Sequence, residues 1–161
     1  MSDLATFEKD LDQFEEAVGI EHSNACAAAA ILLFALIVSR TPYDTGQTRS
    51  SWQIAIGSPN PAVNVKGKYP QYADPSTAFR IAQAEATAKL ANYKFGLTGF
   101  RPAIWITNKL RHVSFLEKGT SKTKAHHMVS LSVEEVRARF SEIATQVEKG
   151  RTVGTFGVSV N

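Results

Sequence analysis

Few side chains in this sequence have the type and spacing that chemistry requires. His126 and His127, with Glu117 or Asp44, are the one set that suggests a metal site. Adjacent histidines on a helix or strand point in different directions, however, and HExxH, CxxC and paired carboxylate spacings are absent. Solvated or interface histidines are the better reading. Ser50 and Ser51 lack the GxSxG turn that would expose a nucleophile. Neither GxGxxG nor GxxxxGK(S/T) occurs to cradle a phosphate. Cys26, the single cysteine, sits in an alanine-rich apolar run and reads as a small buried hydrophobe. It leaves this chain no internal disulfide, which suits a reducing compartment. The expectation is a protein without a catalytic centre, cofactor or metal.

The residues with the most defined physical roles lie instead in Thr41–Trp52, TPYDTGQTRSSW. Pro42 fixes φ and pushes Thr41 out of the helical region, so a preceding helix must stop here. Asp44 can accept hydrogen bonds from nearby backbone N–H groups, and Gly46 can adopt positive φ without steric cost. Arg49 then supplies a forked cation and Trp52 a large apolar anchor. This is the chemistry of a rigid corner.

The elements around it follow from periodicity. Leu4, Phe7, Leu11, Phe14 and Val18 predict an amphipathic N-terminal helix, capped by Ser2 or Asp3. A second helix from Ser23 or Asn24 to Ser39 is apolar on nearly every face and must be covered all round. Its apolar run, Ala25–Val38, spans fourteen residues, short of the roughly 18–20 that a membrane crossing needs. Ser51–Ile56 alternates as a strand, with Trp52, Ile54 and Ile56 on one side. Residues 57–75 hold four prolines and two glycines and read as a long excursion, with Tyr69 and Tyr72 either at a contact surface or pinning the loop. Loops of that length are often functional or pack against a partner. Ser76–Tyr93 predicts a helix capped by Asp74 or Ser76, with Phe79, Ala82, Ala86, Leu90 and Tyr93 as its stripe and Gly96 beyond its end.

Further on, Phe100–Thr107 predicts a strand and Asn108–Arg111 a turn. Val113–Lys118 is a short helical or extended piece ended by Gly119, followed by an exposed polar loop. The last helix runs from Ser130 or Ser132 to Lys149, with Leu131, Val136, Phe140, Ile143 and Val147 as its stripe and Gly150 as its stop. The expected class is α+β: a long N-terminal helix, a small, mostly antiparallel sheet with two further helices on it, a long excursion and an extended C-terminal arm. Residues 1–149 form one domain and 150–161 the arm.

The net charge of +3 conceals an asymmetry. Residues 1–16 carry six acids against Lys9, whereas residues 40–124 carry thirteen Lys or Arg against four acids. The acidic start reads against a secretory leader. A basic middle could bind nucleic acid, but its cations are scattered and accompany no DNA-reading motif. It could equally face solvent, or meet the acidic end of a neighbour.

With these residues assembled, TPYDTGQTRSSWQIAIG resembles the TP-x-DTG-x-(L/T)-R-x-SW signature of the tail-completion, or neck, proteins of long-tailed bacteriophages. TNKLRHVSFLEKGTSKTKAHHMV is similar to their second signature, an Asn-led turn followed by a hydrophobic-LE-x-GTS stretch. The chain departs from the family pattern at Tyr43, Thr48 and Val113-Ser114-Phe115, which are packing positions. The resemblance implies a structural virion protein rather than an enzyme. It would form a ring, usually sixfold, at the head–tail junction. Its partners would be further copies of itself, the tail tube or tail terminator protein and the head connector or stopper protein. DNA would pass through its channel, and no membrane or cofactor would be involved. Pro42, Asp44, Gly46, Arg49, Trp52, Glu117, Gly119 and Thr120 are the implied corner and candidate subunit interface. Arg49 would pair with a carboxylate, Trp52 would pack in the core, and Glu117 and Thr120 would brace the facing loop. Either the motifs only stabilise the monomer, or they contact a neighbouring subunit directly.

Overall fold

Helix α1, Ser23–Arg40, runs through the middle of the molecule. In this computed structural model the described residues are 23–43, 46–62, 65–70, 72–93 and 102–149. The N-terminal helix expected before residue 19, Asp44, Val63, Gly96, Phe100 and the 150–161 arm lie outside them. By length and composition alone α1 is apolar enough to cross a membrane, more so than its fourteen-residue apolar run suggests. Its side chains are spent elsewhere. Ala28, Ile31, Leu32 and the run Phe34–Val38 are buried in the core of this same chain.

After α1 come the single-turn helix α2 (Gln47–Ser50), strand β1 (Gln53–Ile56), helix α3 (Pro75–Lys89), strand β2 (Ile104–Thr107), helix α4 (Val113–Lys118) and helix α5 (Met128–Glu148). The class is α+β, as expected. The sheet is an antiparallel pair with Gln53 opposite Thr107 and Ile56 opposite Ile104. Period-2 alternation puts Ile54, Ile104 and Ile106 on one face, against the core. Ile56 shares that face but lies at the exposed end of the strand. Trp105, on the other face, is exposed and donates Nε1–H to the carbonyl of Gly57 at 3.1 Å.

Helix α3 packs on β1. Asp74 caps it by accepting from the Thr77 N–H at 2.9 Å, and Pro75 occupies the first turn. Phe79, Ala82, Ala86 and Leu90 are buried as predicted. The helix itself stops at Lys89, short of Tyr93. Tyr93 instead ties the chain to Pro102, its hydroxyl donating to that carbonyl at 3.1 Å.

Helix α5 differs from its predicted form in two ways. It begins at Met128 rather than Ser130 or Ser132, and its buried face is Met128, Ser132, Val136 and Ile143. Leu131 and Phe140, expected in the stripe, are 48% and 40% exposed. Spacing of i, i+4, i+8 from Met128 selects the face, and a serine occupies one of its core positions. The hydroxyl of Ser132 fits there because it donates to the carbonyl of Met128 and accepts from Arg40 Nη1 at 3.0 Å.

Candidate functional site

The corner is built on Thr41. Its side chain is 1% exposed, and its hydroxyl donates to the Ile37 carbonyl at 2.7 Å, continuing the polarity of α1 past its last turn. The same oxygen accepts the indole N–H of Trp52 at 2.9 Å and lies 3.5 Å from Met128 Sδ. Trp52 is thus buried with its one polar group satisfied. Pro42 follows at the half-buried exit from the helix. Gly46 caps α2 with φ 73° and ψ −8°, the left-handed conformation that its residue type anticipated. A Cβ there would come within 3.3 Å of the Tyr43 ring. Four residues of the expected corner, Gln47–Ser50, form a helix, and the strand starts at Gln53 rather than Ser51.

Arg49 is buried, and its hydrogen-bond partners among the described residues are carbonyls; Asp44, the carboxylate five positions before it, lies outside them. Nε donates to Thr41 at 2.9 Å, Nη1 to Ala73 at 2.6 Å and Nη2 to Ser39 at 3.5 Å. One rigid fork therefore joins the end of α1, helix α2 and the residue before Asp74. Tyr43 lies against the guanidinium, 5.3 Å from Cζ to ring centroid, and Tyr72 packs on Tyr43 at the same centroid spacing. Burial lowers the proton affinity of Arg49, partly offset by Tyr43, Tyr69 and Asp74. It stays cationic at neutral pH because an unperturbed guanidinium titrates so high. The two tyrosines of the excursion differ in burial. Tyr69 is buried and pins the loop, its phenol pushed well up chiefly by burial, whereas Tyr72 is 76% exposed.

The second signature forms its own compact unit. Glu117 accepts from the backbone N–H groups of Val129 and Ser130, both at 2.9 Å, one on each carboxylate oxygen. It is the cap that lets α5 start early, since His127 at the N-cap position makes no side-chain cap bond. Burial raises the Glu117 carboxyl, but these two N–H donors, the Ser130 hydroxyl and His127 outweigh it and hold it below its ordinary value. Gly119 has φ 75°, and a Cβ there would sit 2.8 Å from the Ala125 nitrogen and 2.9 Å from the Thr123 carbonyl oxygen. Thr120 Oγ1 accepts from the N–H groups of Lys122 and Thr123. Glu117 and Thr120 therefore brace their own loop and the start of α5; their bonds among the described residues do not reach the corner.

Other residues make that link, and sequence reasoning missed them. Met128 meets Thr41. Asn108 Nδ2 donates to the Thr48 carbonyl at 2.9 Å, while Thr48 Oγ1 shares a 2.9 Å hydrogen bond with His112 Nε2. Arg40 binds Ser132 and forms an ion pair with Glu135. The turn-forming Asn108 was one available signal, because its Oδ1 also accepts from the Leu110 N–H. Nothing in the types of Met128 or Thr41 singles them out. His126 and His127 are exposed and Glu117 is engaged by α5, so these three do not converge as a metal site. Among the described residues no group of three or more metal-ligating side chains comes together. Asp44 lies outside the described residues. The chain matches no protein-family model, no curated protein and no solved structure.

Proposed function

We propose that this chain is a structural virion protein of a long-tailed phage that forms a ring at the head–tail junction. There it completes the tail, joins it to the head connector and leaves a channel for DNA. One observation supports this above the others. The two signature segments meet at Thr41–Met128 and at Thr48 with Asn108 and His112, contacts that span 60 to 87 positions of the chain. The side chains of both segments are spent on carbonyls, N–H caps and core packing, as a scaffold requires. Assembly would occur in the host cytoplasm, with the tail tube or terminator and the head connector or stopper as the further partners.

The test is negative-stain microscopy and native mass spectrometry of the full chain, alone and mixed with purified tails. A closed ring of identical subunits is expected. A chain that stays monomeric at high concentration and leaves tails unoccupied would refute the reading. The exposed cations between Lys109 and Lys124 favour a second reading, direct nucleic-acid binding. Micromolar DNA retention that weakens steeply with salt would support it.

A further inference from the structure

Five cations, Lys109, Arg111, Lys118, Lys122 and Lys124, are exposed within residues 108–127, and none forms an ion pair with a described residue. The single acid of that segment, Glu117, is already bound to two N–H groups of α5. Among the described residues these cations are left without a paired acid, so their charge is of one sign. Beside it runs an open groove of about 430 Å³ between α4 and the start of α5, with Leu110, Val113 and Val129 as an apolar wall and Lys118 on its lining. A groove with an apolar wall and Lys118 on its lining, in a stretch whose other exposed cations are Lys109, Arg111, Lys122 and Lys124, suits a segment that is both acidic and apolar at regular spacing. Nucleic acid would use the cations and leave the groove unfilled.

The sequence contains one such segment. Residues 1–18 carry Asp3, Glu8, Asp10, Asp12, Glu15 and Glu16 against Lys9, interleaved with Leu4, Phe7, Leu11, Phe14 and Val18. We propose that the basic face of residues 108–127 and its groove receive the acidic stretch 1–18 of a second copy of this chain. The head-to-tail ring favours a neighbouring copy over the same one. From Ser23 the described part of α1 runs eighteen residues, about 27 Å at 1.5 Å per residue, to the end that meets Met128. Residues 1–18 of the same chain would therefore have to fold back along α1 to reach this face. In a head-to-tail arrangement each subunit offers one acidic stretch and one basic face, so every contact is the same and the ring can close. The contact deepens the ring reading and rests on it.

Two full-length variants test it: Lys118→Glu with Lys122→Glu on the face, and Glu8→Lys with Asp12→Lys on the stretch. Native mass spectrometry and sedimentation read assembly, and circular dichroism checks that each variant is folded. Each variant alone should need about tenfold more protein to assemble, or fail to. An equimolar mixture should recover assemblies containing both chains, because each then offers the other an opposite charge. Wild-type-like assembly by the separate variants would overturn the proposal while leaving the ring standing. A mixture that stays apart, with assembly restored when all four changes are in one chain, would place the contact within a chain and overturn the second-copy assignment. DNA retention lost in the face variant with assembly unchanged would assign the face to nucleic acid instead. A wild-type chain that never associates would remove both the ring and this contact.

Discussion

Replacing Thr41 with valine keeps the shape of the side chain and removes one oxygen. That oxygen is the acceptor for the buried indole N–H of Trp52. The Ile37 carbonyl would not be stranded, since it also accepts the Thr41 backbone N–H at 3.0 Å. The cost should therefore be that of one buried, unpaired donor, about 1–3 kcal/mol. The added methyl beside Met128 Sδ gives back less than about 1 kcal/mol. Urea unfolding followed by tryptophan emission would read this directly, because Trp52 is buried and Trp105 is exposed. With a slope of about 2 kcal/mol per molar urea, the midpoint should fall by roughly 0.5–1.5 M. Thr41→Ser keeps the acceptor and should be clearly milder. A double-mutant cycle with Trp52→Phe should return a coupling of about 1 kcal/mol between the two sites. If Thr41→Val left the midpoint unchanged, or Thr41→Ser were equally damaging, the role given to the hydroxyl would be wrong.

Three further outcomes are expected. Gly119→Ala should destabilise the 119–127 loop and the start of α5 by about 1–3 kcal/mol through positive φ, plus the cost of the close approach to Ala125 and Thr123; thermal melts against Gly57→Ala, whose Cβ would meet nothing within 4 Å, would separate crowding from φ alone. Glu117→Gln should weaken the cap of α5. Because the folded-state Glu117 carboxyl titrates below its ordinary value, its contribution is present above the ordinary value and is lost as pH falls through the folded one, so the stability gap between the two proteins should narrow on acidification. A gap in urea midpoint that did not narrow as the pH was lowered would contradict this. Arg49→Lys should cost about 1.5–3 kcal/mol or more in urea titrations, since a single ammonium cannot reproduce a fork shared by three carbonyls; a neutral outcome would mean the fork ties nothing together.

The elements were legible in the sequence because their signals are local. Asp74-Pro75 starts α3, Pro42 closes α1 and Gly119 ends α4, each by steric or hydrogen-bonding rules that act within a few residues. Gly46 was legible for the same reason: its positive φ follows from residue type. The connections were not legible, because a carbonyl carries no residue identity. Arg49 was expected to pair with a carboxylate, and its partners among the described residues are main-chain oxygens that any sequence would supply. The stripe of α5 was misread because Leu131 and Phe140 look like core residues and Ser132 does not. The Met128 carbonyl one turn back in the helix, together with Arg40, which the fold brings close, makes a buried serine acceptable at that position. Glu117 was expected to brace the facing loop, but residue type alone does not say that its carboxylate caps the helix beginning a few residues downstream.

Thr41 also separates what is near in the chain from what is far. Its bonds to Ile37, Arg49 and Trp52 span eleven residues or fewer, whereas its contact with Met128 spans 87. Short-range closures cost little chain entropy and form early; the distant one must wait for a long loop to close. The corner can then be complete while α4 and α5 are still undocked, and those helices can detach without dismantling it. Amide hydrogen exchange should show this as two tiers, with α5 exchanging through a partial opening that leaves residues 31–38 protected. A single shared exchange rate would mean that the chain opens only as one unit.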